Sequence, residues 1–330
     1  MLSGRVHIWV ADFVAAEKVR SYLLPLGVQV QVVPGNESVV VTGENLPPEI
    51  DLDALRRIPG VKDIALSRPK SNSVRHVRVG SVTFGGWDPV LIAGPCAVES
   101  ESQVDTIARA VKEAGAHMLR GGAFKPRTHP SAFQGLGEAG LKILRDAGIR
   151  YGLQVVSEVP SPDQVDLYSD YLDMLQIGSR HMQNTPLLKA VGKTSKPILL
   201  KRSATATLEE WIAAADYIQA GGNDQIVLCE RGIRTFSGDT RYTLDLSAFF
   251  VVAEQTGMPV IADPSHAAGN SRWVEPLARA ALAAGACGLL VEVHHDPAAA
   301  LSDGVQSLTP EAFGHLVAAL GLSPARESVV

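Results

Sequence analysis

The sequence predicts an α/β chain in which a closed barrel of eight strand–helix units follows a small βαββαβ unit. Three observations predict it. From Trp87 onward, short apolar runs alternate with helical periodicities, the pattern of parallel strands joined by crossover helices. Eight such units follow one another at near-regular spacing, which favours closure into a (β/α)8 TIM barrel over an open doubly wound sheet. Residues 1–67 read β, α, β, β, α, β, the order of a ferredoxin-like sandwich.

In the first unit, Arg5 to Ala11 alternates as a strand does, and Asp12 stands where it can cap a helix over Phe13 to Leu24, ended by Gly27. Val28 to Val33 and Ser38 to Thr42 are β-rich, with Pro34-Gly35-Asn36 as the turn between them. A second helix lies within Leu46 to Ile58, behind Asp51 and Asp53, and Val61 to Leu66 is the last strand. The polar run Arg68 to Ser73 reads as a linker, so the expected domains are residues 1–70 and 71–330. The first carries no catalytic grouping, which suits a regulatory or oligomerisation role. A hairpin over His76 to Phe84, turning at Gly80-Ser81, is expected to plug the bottom of the barrel.

The predicted barrel strands are Val90–Cys96, Met118–Phe124, Tyr151–Glu158, Met174–Gly178, Pro197–Arg202, Gln225–Arg231, Pro259–Ser265 and Gly288–His294. Helical patterns between them include Gln103–Ala114, Leu136–Ala147, Leu208–Ala220 and Val274–Ala284. The last helix, Pro310–Leu320, opens with Thr309 as cap and Pro310 in its first turn. From Ser323 the tail is expected to fray.

The composition fits an ordinary globular chain: 46% of the 330 residues are hydrophobic and 20% charged. A net charge of -5 argues against nucleic acid or an anionic membrane surface as partner. No apolar run approaches the roughly 20 residues a membrane span needs. Met1-Leu2-Ser3-Gly4 runs directly into a strand, so no signal peptide is expected. The 3 cysteines do not form a disulfide framework, and a reducing cytoplasm is the expected location.

In such barrels the chemistry sits at the C-terminal ends of the strands. Two groups of residues stand there. Cys96, His266, Glu292 and Asp303 offer thiolate, imidazole and carboxylate from different strand ends or loops. That mixed set suits one borderline divalent ion, and Mn, Fe, Co and Zn all remain open. Cys229 and Cys287 lie earlier in their segments and read as core. Arg120, Lys125, Arg127, Arg180, Lys201, Arg202 and Arg231 form the second group. Cations at the ends of buried strands call for anionic ligands, and arginine forks match phosphate and carboxylate oxygens.

The motifs Gly94-Pro95-Cys96-Ala97-Val98-Glu99-Ser100, Lys125-Pro126-Arg127-Thr128, Gln176-Ile177-Gly178-Ser179-Arg180, Asp263-Pro264-Ser265-His266 and Leu301-Ser302-Asp303-Gly304 closely resemble those of 3-deoxy-D-arabino-heptulosonate 7-phosphate (DAHP) synthases. The likeness is to the type I beta subgroup, in which a ferredoxin-like domain precedes the barrel. It covers nearly the whole chain, and the five motifs in this order are specific together.

The resemblance implies an aldol-like condensation of phosphoenolpyruvate with erythrose 4-phosphate, the first step of the shikimate pathway. By similarity, Cys96, His266, Glu292 and Asp303 hold the metal, and Arg120, Lys125, Arg180, Lys201 and Arg231 hold phosphoenolpyruvate. Pro126, Arg127 and Thr128 hold erythrose 4-phosphate, and Lys125, His266 and Cys96 carry the catalysis. The family also implies a homotetramer and an aromatic amino-acid effector, tyrosine or phenylalanine, at the N-terminal domain. Three positions depart from the family pattern: His129, His181 and Ser203. The nearest rival is 3-deoxy-D-manno-octulosonate 8-phosphate synthase, which shares the barrel but typically carries a different motif at 125–128. A Schiff-base aldolase using Lys201 or Lys125 would leave the metal-type residues unexplained. A ligand-sensing barrel without turnover would bind without releasing phosphate.

Overall fold

The computed structural model describes residues 4–34, 39–46, 50–67, 74–86, 88–125 and 131–322. The expected Pro34-Gly35-Asn36 turn, the Arg68–Ser73 linker and the tail from Ser323 fall wholly or partly outside them. The chain divides into two compact units, the first built on Met1–Asn72 and the second on Ser73–Ala253 and Met258–Val330.

The first unit runs β1 (Gly4–Val10), α1 (Phe13–Leu23), β2 (Gln29–Pro34), β3 (Val39–Leu46), α2 (Leu52–Arg56) and β4 (Val61–Ser67). Its antiparallel sheet has the order β2-β3-β1-β4, the ferredoxin-like arrangement. The residues dictate this locally. Val6, Ile8 and Val10 alternate on β1, and Ala15, Ala16, Val19 and Leu23 recur at helical spacing on α1. Both sets meet in one buried core. Asp12 Oδ1 accepts the Ala15 amide at 2.8 Å and Asp51 Oδ1 that of Ala54 at 2.9 Å, so each helix begins at its acidic cap.

The second unit opens with a hairpin of β5 (Val77–Val79) and β6 (Val82–Phe84). The barrel strands follow: β7 (Val90–Gly94), β8 (Met118–Arg120), β9 (Gln154–Glu158), β10 (Met174–Ile177), β11 (Ile198–Lys201), β12 (Ile226–Glu230), β13 (Val260–Ala262) and β14 (Gly288–Glu292). They are parallel and close on themselves, β14 pairing with β7. Between and after them stand α3 (Glu101–Glu113), α4 (Glu138–Tyr151), α5 (Val165–Tyr171), α6 (Thr185–Val191), α7 (Leu208–Ala220), α8 (Ser247–Thr256), α9 (Pro264–Ala268), α10 (Val274–Ala283) and α11 (Pro310–Ala319). Among the described residues, no helix is long and apolar enough to cross a membrane.

Period-two alternation divides each strand between two cores. Leu91 and Ala93 of β7, and Ile226 and Leu228 of β12, face outward onto the helices. Val90 and Ile92, and Val227 and Cys229, face inward. Val77, Val79, Val82 and Phe84 of the hairpin belong to that inner cluster.

Every predicted barrel strand is present; β9 ends at Glu158 as expected, and the other seven end earlier at their mouth side than the sequence suggested. The apolar and polar residues that seemed to extend them belong to loops or to the next helix. The difference is clearest at β13, which stops at Ala262. Asp263 turns the chain and caps α9, and Pro264, which has no N–H to give a sheet, takes the first helical position.

Candidate active site

The mouth of the barrel is assembled from strand ends that cannot be extended. At the end of β7, Gly94 has φ 151°, and a Cβ there would lie 2.1 Å from the backbone oxygen of Arg120. This close approach of β7 to β8 sets Cys96 beside Arg120, whose Nη2 donates to Cys96 O at 3.4 Å. Asp263 accepts the His266 amide at 3.0 Å through Oδ1, which turns the His266 ring back toward β14. Ser265 Oγ accepts the Glu292 amide at 3.0 Å and ties the two strand ends together.

Three of the four predicted metal ligands form a tight group. Donor atoms of Cys96, Glu292 and Asp303 all lie within 4.8 Å of one another. Cys96 Sγ is 3.2 Å from Asp303 Oδ2 and 3.2 Å from Ser302 Oγ. His266 stands at the edge of the group, with Nε2 3.5 Å from Glu292 Oε1. Its Nδ1 lies 2.7 Å from Asp263 Oδ2 but is not aligned for a hydrogen bond. Cations and an amide cover the same donors. Arg120 Nη1 donates to Glu292 Oε1 at 2.6 Å, Gln306 Nε2 to Glu292 Oε2 at 2.6 Å, and Lys125 Nζ to Cys96 Sγ at 3.1 Å. Arg241 Nη1 reaches Asp303 Oδ1 at 3.4 Å and Gln306 Oε1 at 3.0 Å.

Burial sets the electrostatics. It pushes the Cys96 thiol up to about 12, reinforced by Glu292 and opposed by Lys125 and Arg120. Burial also works against the charge on Glu292, but His266 and the Arg120 guanidinium hold it down to about 2. Asp263 is held well below the usual carboxylate range: burial opposes this, and His266 and Lys201 outweigh it. His266 itself is lowered, chiefly by burial, against the pull of Asp263 and Glu292. A thiol, two carboxylates and an imidazole at these separations fit a borderline divalent ion. Asp303 adds to the fit. Among the described residues it is the one non-glycine with positive φ, at 52°, a strained conformation that turns its carboxylate to the group.

The cationic residues divide. Arg120, Lys201 and Arg231 are buried, and Lys125 is half-buried. Lys201 Nζ pairs with Asp263 Oδ2 at 2.6 Å. Arg231 lies over the Tyr242 ring at 4.8 Å and acts electrostatically on Asp263. Arg180 is exposed, on a 3-10 turn after β10. Arg202 does not belong with them. It bonds Glu230 Oε2 at 2.9 Å and Asp245 Oδ2 at 2.8 Å, a structural pairing made when β11 meets β12. Arg127, Pro126, Thr128 and His129 lie outside the described residues. Of the other departures from the family motif, Ser203 donates its amide to Met182 Sδ at 3.2 Å, and His181 sits on the Arg180 turn.

Sequence reasoning missed Gln306 and Arg241. Neither is a ligand type, and the first signals itself only by lying three residues after Asp303 in the loop leading to α11. The buried carboxamide of Gln306 holds the second oxygen of Glu292 while accepting from Arg241.

The family model described as the DAHP synthetase I family matches residues 66–321. A phospho-2-dehydro-3-deoxyheptonate aldolase of Thermotoga maritima is 48% identical over 241 residues, covering 73% of this chain and 71% of that protein. A 2-dehydro-3-deoxyphosphooctonate aldolase of Syntrophotalea carbinolica is 37% identical over 251 residues, covering 70% of this chain and 90% of its own. A crystal structure of the Thermotoga maritima phospho-2-dehydro-3-deoxyheptonate aldolase (DAHP synthase) superposes with TM-score 0.75 at 37% identity, covering 97% of each chain.

Proposed function

Because the chain belongs to the DAHP synthetase I family, and is an enzyme of the 3-deoxy-7-phosphoheptulonate synthase class, we propose that it joins phosphoenolpyruvate to erythrose 4-phosphate with the help of one divalent metal ion. This is transferase chemistry of the shikimate pathway, which leads to the aromatic amino acids. One observation carries the reading of the site. Buried Arg120, Lys201 and Arg231 and half-buried Lys125 converge on a mouth that also holds the Cys96, Glu292 and Asp303 group. A substrate with a phosphate and a carboxylate beside a metal matches that arrangement.

In this reading Arg120, Lys125, Arg180, Lys201 and Arg231 bind the phosphate and carboxylate of phosphoenolpyruvate. Their charges offset its repulsion with the second phosphate and fix C3 against the aldehyde carbon. Pro126, Arg127 and Thr128 take erythrose 4-phosphate. Cys96, His266, Glu292 and Asp303 hold the ion, which when bound supplies Lewis-acid polarisation of the aldehyde oxygen. C3 attacks the aldehyde carbon, water adds at C2, and the hemiketal phosphate loses inorganic phosphate by C–O cleavage. Lys125, whose Nζ stands 3.1 Å from Cys96 Sγ, and His266 are the two candidates for moving protons. The N-terminal unit serves as the site of an aromatic amino-acid effector, tyrosine or phenylalanine, in a cytoplasmic homotetramer.

The test is release of inorganic phosphate from phosphoenolpyruvate with erythrose 4-phosphate or arabinose 5-phosphate as acceptor. Release with the four-carbon sugar alone, abolished by EDTA and restored by Mn²⁺, is the expected result. Release with the five-carbon sugar instead moves the enzyme to the octulosonate synthases. No release with either overturns the catalytic reading.

A further inference from the structure

Glu99 follows β7 by five residues and touches none of the reacting groups. Its carboxylate nevertheless joins the two loops that carry Cys96 and Asp303. Oε1 accepts the backbone N–H of Leu301 at 2.9 Å, two residues before Asp303. Oε2 lies 3.4 Å from His294 Nε2, two residues after Glu292. The His294 tautomer follows from its other nitrogen: Nδ1 accepts the Asp296 amide at 3.1 Å, so the proton is on Nε2 and points at Glu99. Both side chains are shielded, Glu99 being 12% and His294 3% exposed.

The near end of this strut is fixed as well. Gln103, buried on the first turn of α3, accepts the Glu99 amide at 3.0 Å and donates to Ala97 O at 3.1 Å. The loop from Cys96 to Ser100 is therefore held to α3, and Glu99 carries that position across to residues 294–301. Asp303 needs such support, because its left-handed backbone is strained and persists only where the surroundings impose it.

Resting on the metal-site reading above, we propose that Glu99, with His294, is a positioning residue that sets the separation of Cys96 and Asp303 and thereby the affinity of the site for a divalent ion. Outer residues that orient ligands commonly govern affinity by about 10–100-fold.

The experiment is Co²⁺ binding by the full chain, read as the thiolate-to-cobalt absorption and as affinity in competition with a chromophoric chelator. Glu99→Ala is expected to weaken Co²⁺ by about 10–100-fold. Its metal-free unfolding temperature should match that of Glu101→Ala, an equal loss of charge at the exposed start of α3. Glu99→Gln keeps an oxygen for the Leu301 amide but turns an NH2 toward the His294 Nε2–H, and is expected to recover part of the affinity. Co²⁺ affinity of Glu99→Ala within about twofold of the parent overturns the proposal, as does equal weakening in Glu101→Ala. Should Glu99→Ala not fold, Glu99→Asp draws the carboxylate back by one methylene, and unchanged affinity there overturns it equally. A parent chain that takes no Co²⁺ overturns the metal reading itself, and that result is separate from any variant.

Discussion

At the scale of the residue, Cys96 shows how the site stores its chemistry. Its thiol is pushed to about 12 from the ordinary 9.0, first by burial and then by Glu292. A rise of about three units leaves roughly a thousandfold less thiolate at pH 8 than a free thiol has. The sign is fixed: the thiol is protonated below its raised pKa, and the thiolate grows about tenfold per pH unit as pH climbs toward it. Metal-free protein should thus alkylate at Cys96 far more slowly with iodoacetamide than the urea-unfolded chain does, between pH 7 and 9. Peptide mapping separates Cys96 from Cys229 and Cys287. Labelling of native Cys96 at the unfolded rate would contradict the buried, protonated thiol. Under the proposed metal binding, the same balance would make ligation by Cys96 a proton-releasing event, since thiolate is the metal-binding form.

At the scale of the element, the eight strand ends act as brackets whose spacing is set by backbone contacts. Gly94 is the tightest. Its φ of 151° and the 2.1 Å from a would-be Cβ to Arg120 O leave no room for any side chain. Gly94→Ala must push β7 and β8 apart at their ends, which separates Cys96 from Arg120 and Lys125. The expected result is loss of at least 100-fold in phosphate release, with far-ultraviolet circular dichroism still that of a barrel; about 1 Å of misplacement is enough for such a loss. Near-parent activity in Gly94→Ala would show that the strand ends tolerate spreading. Several of the helices were readable because they carry their own start signal. Thr207 and Glu210 form a reciprocal capping box on α7, and Thr309 caps α11.

At the scale of the whole molecule, the chain carries its chemistry in one unit and a separate sandwich in the other. Each has its own buried core, Val6 to Leu55 in the first and the two barrel layers in the second. A chain beginning at Ser73 should accordingly fold and keep phosphate release, while losing inhibition by tyrosine or phenylalanine. Inhibition that survives the truncation would remove the effector role from the first unit. Loss of activity on truncation would make that unit part of the catalytic assembly.

The sequence by itself determined the layers. Alternation on Val6, Ile8 and Val10, helical spacing on Ala15, Val19 and Leu23, and eight apolar runs closed by polar ends are local patterns, and local patterns dictate which face is buried. It also placed the types of group at the mouth: Cys96, His266, Glu292 and Asp303, and the cations around them. Only the tertiary structure decided their partners. Arg202 reads like Lys201 in the sequence, yet one meets Glu230 and Asp245 while the other meets Asp263. Gln306 and Glu99 gain their importance from residues 14 and 202 positions away, a separation no local pattern encodes. The physical reason is common to both. Which face a side chain takes is set by its own backbone periodicity, but which group compensates a buried charge is set by the distance at which two strand ends close.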